Sequence, residues 1–100
     1  MFAKIQGREW KINWRHIVYK EPQTLELLNG GHLWVRGVTV CTAVNVANDM
    51  DVNASPAYCS IQDNFVKDKG RKQSLTRLLA GLKASRAERT EIWQQYHSRH

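Results

Sequence analysis

The sequence predicts an α+β fold: a small N-terminal antiparallel sheet of about four to five strands over residues 1–60, then two C-terminal helices over residues 61–100, all in a single domain. Three observations predict it. Apolar and polar residues alternate in the first third, the middle holds a β-branched run, and after residue 60 the apolar spacing changes from two to 3.6. With 100 residues, the chain buries only about 60–65% of the surface it exposes when unfolded. Its core is therefore thin, and a second subunit burying more of it is expected.

The elements follow in order. "FAKIQ" and "WKINWRHIVY" flank Gly7-Arg8-Glu9, which reads as a tight turn. In the second run Trp10, Ile12 and Trp14 alternate with Lys11, Asn13 and Arg15, so one face is expected buried and the other wet. "TLELL" and "HLWVRG" surround Asn29-Gly30-Gly31, and Asn-Gly between apolar runs is a strong hairpin signal because both residues tolerate positive φ. "VTVCTAVNVA" reads as an inner strand. "NDMDVNASPAY", residues 48–58, collects Asn, Asp, Ser and Pro and reads as a loop leading to a short strand near Tyr58–Ser60.

The first helix is expected to start near Ser60–Asp63, capped by either side chain. Leu75, Leu78, Leu79 and Leu82 then form one apolar stripe, which extends backwards to Arg71 and Asn64. "GLKAS" closes this helix. Ser85 and Glu88 form a capping box that opens the second, whose stripe is Ile92, Trp93 and Tyr96 with Arg89 nearly in line. Two readings of Gly70 stand side by side. It either permits close approach of a backbone or ligand, or it breaks the helix so that the leucine stripe begins only at Gln73 or Ser74.

Charge is uneven. Residues 1–59 hold six Lys/Arg and five Asp/Glu, whereas residues 60–100 hold nine and four, so the +6 net charge lies mostly in the helices. An anionic partner would be drawn there: a nucleotide, a nucleic acid or an acidic protein surface. Lys67, Lys69, Arg71, Lys72 and Arg77 form the basic cluster. The cluster is either a solvated helix face or an anion site; charge placed only for solubility should avoid the apolar stripes, and Arg71 and Arg89 do not. A guanidinium fork suits phosphate at a partly buried position, and a helix N-terminus adds amide donors. Phe65 is either plain core or a ring that stacks on a base, with Asn64 bonding the base edge.

Other chemistries find little support. Cys41, Cys59, His16 and His32 lack the spacing of a zinc finger or ribbon, and a buried thiol pair on neighbouring strands is the better reading. No P-loop, nucleophile elbow or His-Glu metal motif occurs, His97 and His100 sit at the C-terminal end, and no cofactor is implied. "MFAKIQGREWKINW" lacks the apolar run of a signal peptide, and no stretch approaches the ~20 apolar residues of a membrane span, so a cytosolic chain with reduced thiols is expected.

The run Cys59, Asp63, Asn64, Phe65, Lys67, Gly70, Arg71, Lys72, Leu75, Arg77 and Leu79, followed by Arg89, Trp93 and Tyr96, resembles a set of small phage-encoded proteins. Trp14 and His16 are also similar. Within that set the chain resembles the Thoeris anti-defence proteins, which sequester cyclic ADP-ribose-type signals without cleaving them. The resemblance covers the last forty residues well and the front loosely. It implies an oligomeric, non-enzymatic protein in the cytosol of a host cell, with Arg71, Arg77 or Arg89 holding phosphates. The ligand-binding residues expected are thus Asn64, Phe65, Lys67, Arg71, Lys72, Arg77 and Arg89. The alternative is a phage inhibitor that binds a host macromolecule, such as an acidic surface of a nuclease, polymerase or CRISPR effector, or nucleic acid itself.

Overall fold

A computed structural model describes residues 1–99; His100 lies outside the described residues. The order is β1 (Phe2–Ile5), β2 (Arg8–Glu26), β3 (His32–Asn45), β4 (Asn48–Ser60), α1 (Lys67–Gly81) and α2 (Arg86–Arg99). The four strands form one antiparallel sheet in the order β1-β2-β3-β4, and the two helices follow, as the α+β reading expects.

The first turn sits slightly earlier than the sequence suggests. Gln6 (φ 55°) and Gly7 (φ 74°) form a two-residue connection with both residues left-handed, the geometry that matches the twist of a hairpin. Arg8 and Glu9 already belong to β2 and pair with Ile5 and Lys4. The run "WKINWRHIVY" and the first three residues of "TLELL" are one strand, β2, with a register irregularity between Val18 and Gln23 that holds Pro22. The Asn29-Gly30-Gly31 hairpin is present as a wider turn in which Leu27 N–H donates to Gly31 O (2.8 Å) and Gly30 takes φ 83°. "HLWVRG" and "VTVCTAVN" are likewise one strand, β3, bulged at Arg36, with Val46 and Ala47 forming the turn to β4.

Residues 48–58 are not a loop. They form most of β4, which pairs with β3 from Val35↔Ser60 to Asn45↔Asn48. The turn-forming residues are tolerated because β4 is an edge strand. Proline lacks only an N–H that an edge position need not donate. Arg77 Nη1 donates to Pro56 O at 2.6 Å. Asn45 Nδ2 donates to Asp51 (3.1 Å), which gives that carboxylate a partner within the sheet.

One face of the sheet carries Ala3, Ile5, Trp10, Ile12, Cys41 and Ala43, and these pack with Leu75, Leu78, Leu79, Ala84, Ile92 and Tyr96 in one core. Each of the three buried leucines contributes about 1.5–3 kcal/mol through burial. Trp14, Leu82 and Trp93 are partly buried against this core. The thiols are free; only Cys41 is buried, and Cys59 is half-buried, so the expectation of a buried pair is corrected. Burial pushes the Cys41 thiol up to about 12.

The helix ends follow local rules. The α1 end is a Schellman closure: Lys83 takes φ 56°, Ala84 N–H donates to Leu79 O and Lys83 N–H to Ala80 O. Glycine is the usual left-handed residue at such a position; here Gly81 lies inside the helix and Lys83 takes the strained role. The capping box is as expected, with Ser85 N–H donating to Glu88 Oε1 (2.8 Å) and Glu88 N–H to Ser85 Oγ (3.2 Å). Glu88 Oε2 also accepts Gln6 N–H (2.8 Å), which ties the first β-turn to α2. These amide bonds hold the Glu88 carboxyl below its ordinary value.

Candidate functional site

Two glycines set the site. A Cβ on Gly70 would lie 2.3 Å from Thr39 Oγ1 and 2.9 Å from Thr39 Cβ, so the first turn of α1 rests directly on β3. A Cβ on Gly37 would lie 2.6 Å from the Phe65 ring and 2.7 Å from Ile17 O, so the segment before α1 lays its aromatic ring against the same strand. Gly70 is therefore a close-approach glycine inside a continuous helix, and the helix-break reading is excluded.

The helix starts later than expected. Its N-cap is Val66, which offers no side-chain cap, and Lys67 is the first helical residue. Ser60 instead caps a turn, with Oγ accepting Gln62 N–H (3.2 Å) and its carbonyl accepting Asp63 N–H (3.0 Å). Arg36 anchors this segment by donating to Ile61 O. The Cys59 thiol approaches the Ser60, Asp63 and Asn64 carbonyls at 3.5–3.8 Å.

Arg71 faces inward, as its place beside the leucine stripe predicts, and its side chain is 22% exposed. Its Nε donates to Tyr96 Oη (3.2 Å), its Nη1 faces His16 Nε2 (3.5 Å), and its Nη2 stands 3.8 Å from Asp68. Tyr96 in turn donates to Asp68 Oδ1 (2.7 Å). His16 Nδ1 shares a 2.7 Å bond with Thr39 Oγ1. A guanidinium can only donate, so His16 accepts at Nε2 and carries its proton on Nδ1 toward Thr39. Trp14 Nε1 donates to the Arg71 carbonyl (3.2 Å), and the Trp14 and Tyr96 rings meet edge-on at 5.7 Å. Residues from β2, β3, α1 and α2 thus form one polar network at the border of the core.

The electrostatics agree with this wiring. Burial, and then the charges of Arg71 and Lys67, push the His16 imidazole below its ordinary value, so it is neutral at pH 7. The hydrogen bond from Tyr96, then that from Lys72 (3.0 Å), hold Asp68 below the usual carboxylate range. Burial, then the bond to Asp68, push Tyr96 up.

The remaining expected residues separate. Asn64 and Phe65 line a cleft of about 80 Å³ together with Tyr58, Cys59, Lys69 and Gly70. Phe65 is half-buried, with its ring edge-on to His16 at 6.1 Å, so it packs and lines the cleft at once. Asn64 is exposed and lies outside the helix, so the stripe does not extend back to it. Lys67 and Lys69 are exposed on the first turn. Lys72 pairs with Asp68, and Arg77 is turned to the β4 edge. Arg89 is exposed on α2 rather than on the apolar side, although Ile92 and Tyr96 one and two turns on are buried.

Sequence reasoning missed Asp68 and Thr39. Asp68 stands three residues before Arg71 and four before Lys72, the spacing of ion pairs along a helix, and that was the available signal. Nothing local marks Thr39. Of "WRH" at 14–16, the structure turns Trp14 and His16 toward the helices and leaves Arg15 exposed on the other face. Among the described residues, no group of three or more His, Cys, Asp or Glu side chains converges as a metal site would need. No helix among the described residues is long and apolar enough to cross a membrane. No family model, curated protein or solved structure matches the chain.

Proposed function

We propose that this chain is a phage-type anti-defence protein that binds a small phosphate-bearing, cyclic-nucleotide immune signal in the host cytosol and sequesters it without chemical change. The observation that carries the reading is the open start of α1. A 15-residue helix begins at Lys67 behind an N-cap, Val66, that offers no side-chain cap, with Lys67 and Lys69 exposed and the cleft of Asn64 and Phe65 adjacent. Uncapped first-turn amides and the helix dipole favour an anion there, and flanking ammonium groups add charge. In this reading the phosphate sits on the first-turn amides, Lys67 and Lys69 neutralise it, and Phe65 with Asn64 contacts the base at the cleft mouth. Arg71 is a positioning residue, holding α1 on Tyr96 and His16, while Lys72, Arg77 and Arg89 contribute long-range attraction.

The experiment is recovery of the ligand. Purified protein is incubated with lysate of phage-infected cells, washed and heat-denatured, and the released small molecules are analysed by mass spectrometry. The reading expects an intact phosphate-bearing nucleotide, present with wild type and lost with Lys67→Glu/Lys69→Glu. Recovery of a hydrolysed product alone contradicts sequestration.

A second reading, an inhibitor of a host macromolecule, is favoured by one specific observation. The cleft is smaller than the roughly 300–1,000 Å³ usual for sites that enclose a small molecule. Salt separates the two. Binding along a nucleic-acid backbone falls steeply with salt through counterion release, whereas a phosphate held on amides responds far less.

A further inference from the structure

The sheet has two edges, and they differ. Along β4, Pro56 has no N–H to offer, and its carbonyl accepts Arg77 Nη1 (2.6 Å). Along β1 the main chain is open. Met1 and Ile12 exchange both of their main-chain bonds, Ile12 N–H to Met1 O (2.7 Å) and the Met1 ammonium to Ile12 O (3.2 Å). Facing residues of an antiparallel ladder alternate between exchanging bonds and turning them outward. Ala3 and Ile5 therefore bond to β2, and the N–H and C=O groups of Phe2 and Lys4 face away from it. Among the described residues, no strand lies beyond β1 and no hydrogen bond reaches those groups.

A groove of about 370 Å³ runs between residues 2–4 and the side of α2 that carries Glu88, Glu91, Ile92 and Gln95. At one end α2 already meets the edge, where Glu88 Oε2 accepts Gln6 N–H (2.8 Å). The next outward donors along the chain, Lys4 and Phe2, are left unmet. An extended segment in this groove would continue the ladder and set alternate side chains against α2. Charge selects the segment. Both carboxylates of α2 line the groove and none of its three arginines does. Against them stands only Lys4, so the groove is acidic on a chain of net +6. Glu91 is exposed and, among the described residues, has no ion pair. Phe2, 50% exposed, offers an apolar contact to side chains on the other face of such a strand. β1 is only four residues long and carries a lysine, both features that discourage pairing with a whole second sheet. A short single strand fits where a sheet does not.

We propose that the groove between β1 and α2 binds an extended, basic segment of a partner protein by strand addition to Phe2 and Lys4. The cationic side chains of the segment lie toward Glu88 and Glu91, and its apolar ones lie beside Phe2. The site is separate from the cleft at the start of α1 and needs no ligand there. Titration of the isotope-labelled full chain with acetyl-Val-Arg-Val-Arg-Val-amide, read by backbone amide chemical shifts, tests it. Saturable shifts are expected at Phe2, Lys4 and the groove side of α2. Methylating every backbone nitrogen of the peptide should abolish binding, because main-chain bonds to the edge are lost. Replacing its arginines by glutamates should abolish it too. Glu91→Lys, at an exposed position, should keep the circular dichroism of wild type and weaken binding about 10-fold or more. The proposal is overturned by a titration without shifts at Phe2 and Lys4, by undiminished binding of the methylated or the glutamate peptide, or by unchanged affinity in Glu91→Lys. Shifts at those two amides that grow with protein concentration alone would assign the edge to a second copy and overturn it as well.

Discussion

The first turn of α1 has an inward and an outward side, and the two do different work with the same kinds of residue. Inward, Gly70 rests on Thr39, and Arg71 is bonded to Tyr96 and faces His16. Outward, Lys67 and Lys69 are exposed beside an uncapped helix start and a cleft lined by Asn64 and Phe65. One basic stretch thus holds the helix on the sheet with one side and leaves charge open for a ligand with the other. Inward substitutions should therefore cost stability, and outward ones should cost binding alone.

The sharpest break of that division is Gly70→Ala. Alanine favours helix by about 1 kcal/mol over glycine, yet the added methyl meets Thr39, so the variant should lose about 1–3 kcal/mol net through overpacking, read as a lower melting temperature. A stabilised Gly70→Ala would mean that α1 does not rest on β3 as described. Next comes Tyr96→Phe, which removes the hydroxyl that bonds Asp68 and Arg71 and should cost about 1–2 kcal/mol in urea unfolding. Arg71→Ala should cost a similar amount, and a double-mutant cycle between the two should show coupling above ~0.5 kcal/mol. Additive effects would argue against a shared network. Trp93→Ala, at a half-buried ring, should cost less than the ~3–5 kcal/mol of a fully buried tryptophan.

Smaller still is a pH effect. The folded value of His16 lies below its ordinary 6.5, so the unfolded chain takes up the proton first. Stability from this group is complete above about pH 6.5 and is lost as pH falls through the folded value. In a His16→Gln variant this part of the pH slope should vanish, while the acid loss from Asp68 remains at lower pH. Last, Lys67→Ala and Lys69→Ala should each change stability by less than ~0.5 kcal/mol.

What the residues made legible follows the same line. Alternation at Trp10, Ile12 and Trp14, the Asn29-Gly30-Gly31 turn, the leucine stripe and the Ser85–Glu88 box each carry a local signal, and each gave its element. Periodicity also placed Arg71 inward, on the reading in which the helix runs unbroken through Gly70; the helix-break reading had left that open. The strand at residues 48–58 was illegible because Asp49, Asp51, Asn53 and Pro56 are turn formers that only an edge position tolerates. The late start of α1 at Lys67 was hidden because Ser60 and Asp63 look like caps, while the actual cap position, Val66, has no capping side chain. Thr39 reaches the site through strand register and a glycine contact, long-range facts with no local mark, whereas His16 is the next step of the Trp10, Ile12, Trp14 alternation.

The most direct test of the outward side is the ligand recovered by heat release from wild type and from Lys67→Glu/Lys69→Glu, with unfolding curves run on both. The account predicts an intact phosphate-bearing nucleotide from wild type, none from the variant, and equal stability. Equal recovery from the two proteins, or no phosphate-bearing molecule from either, would contradict it.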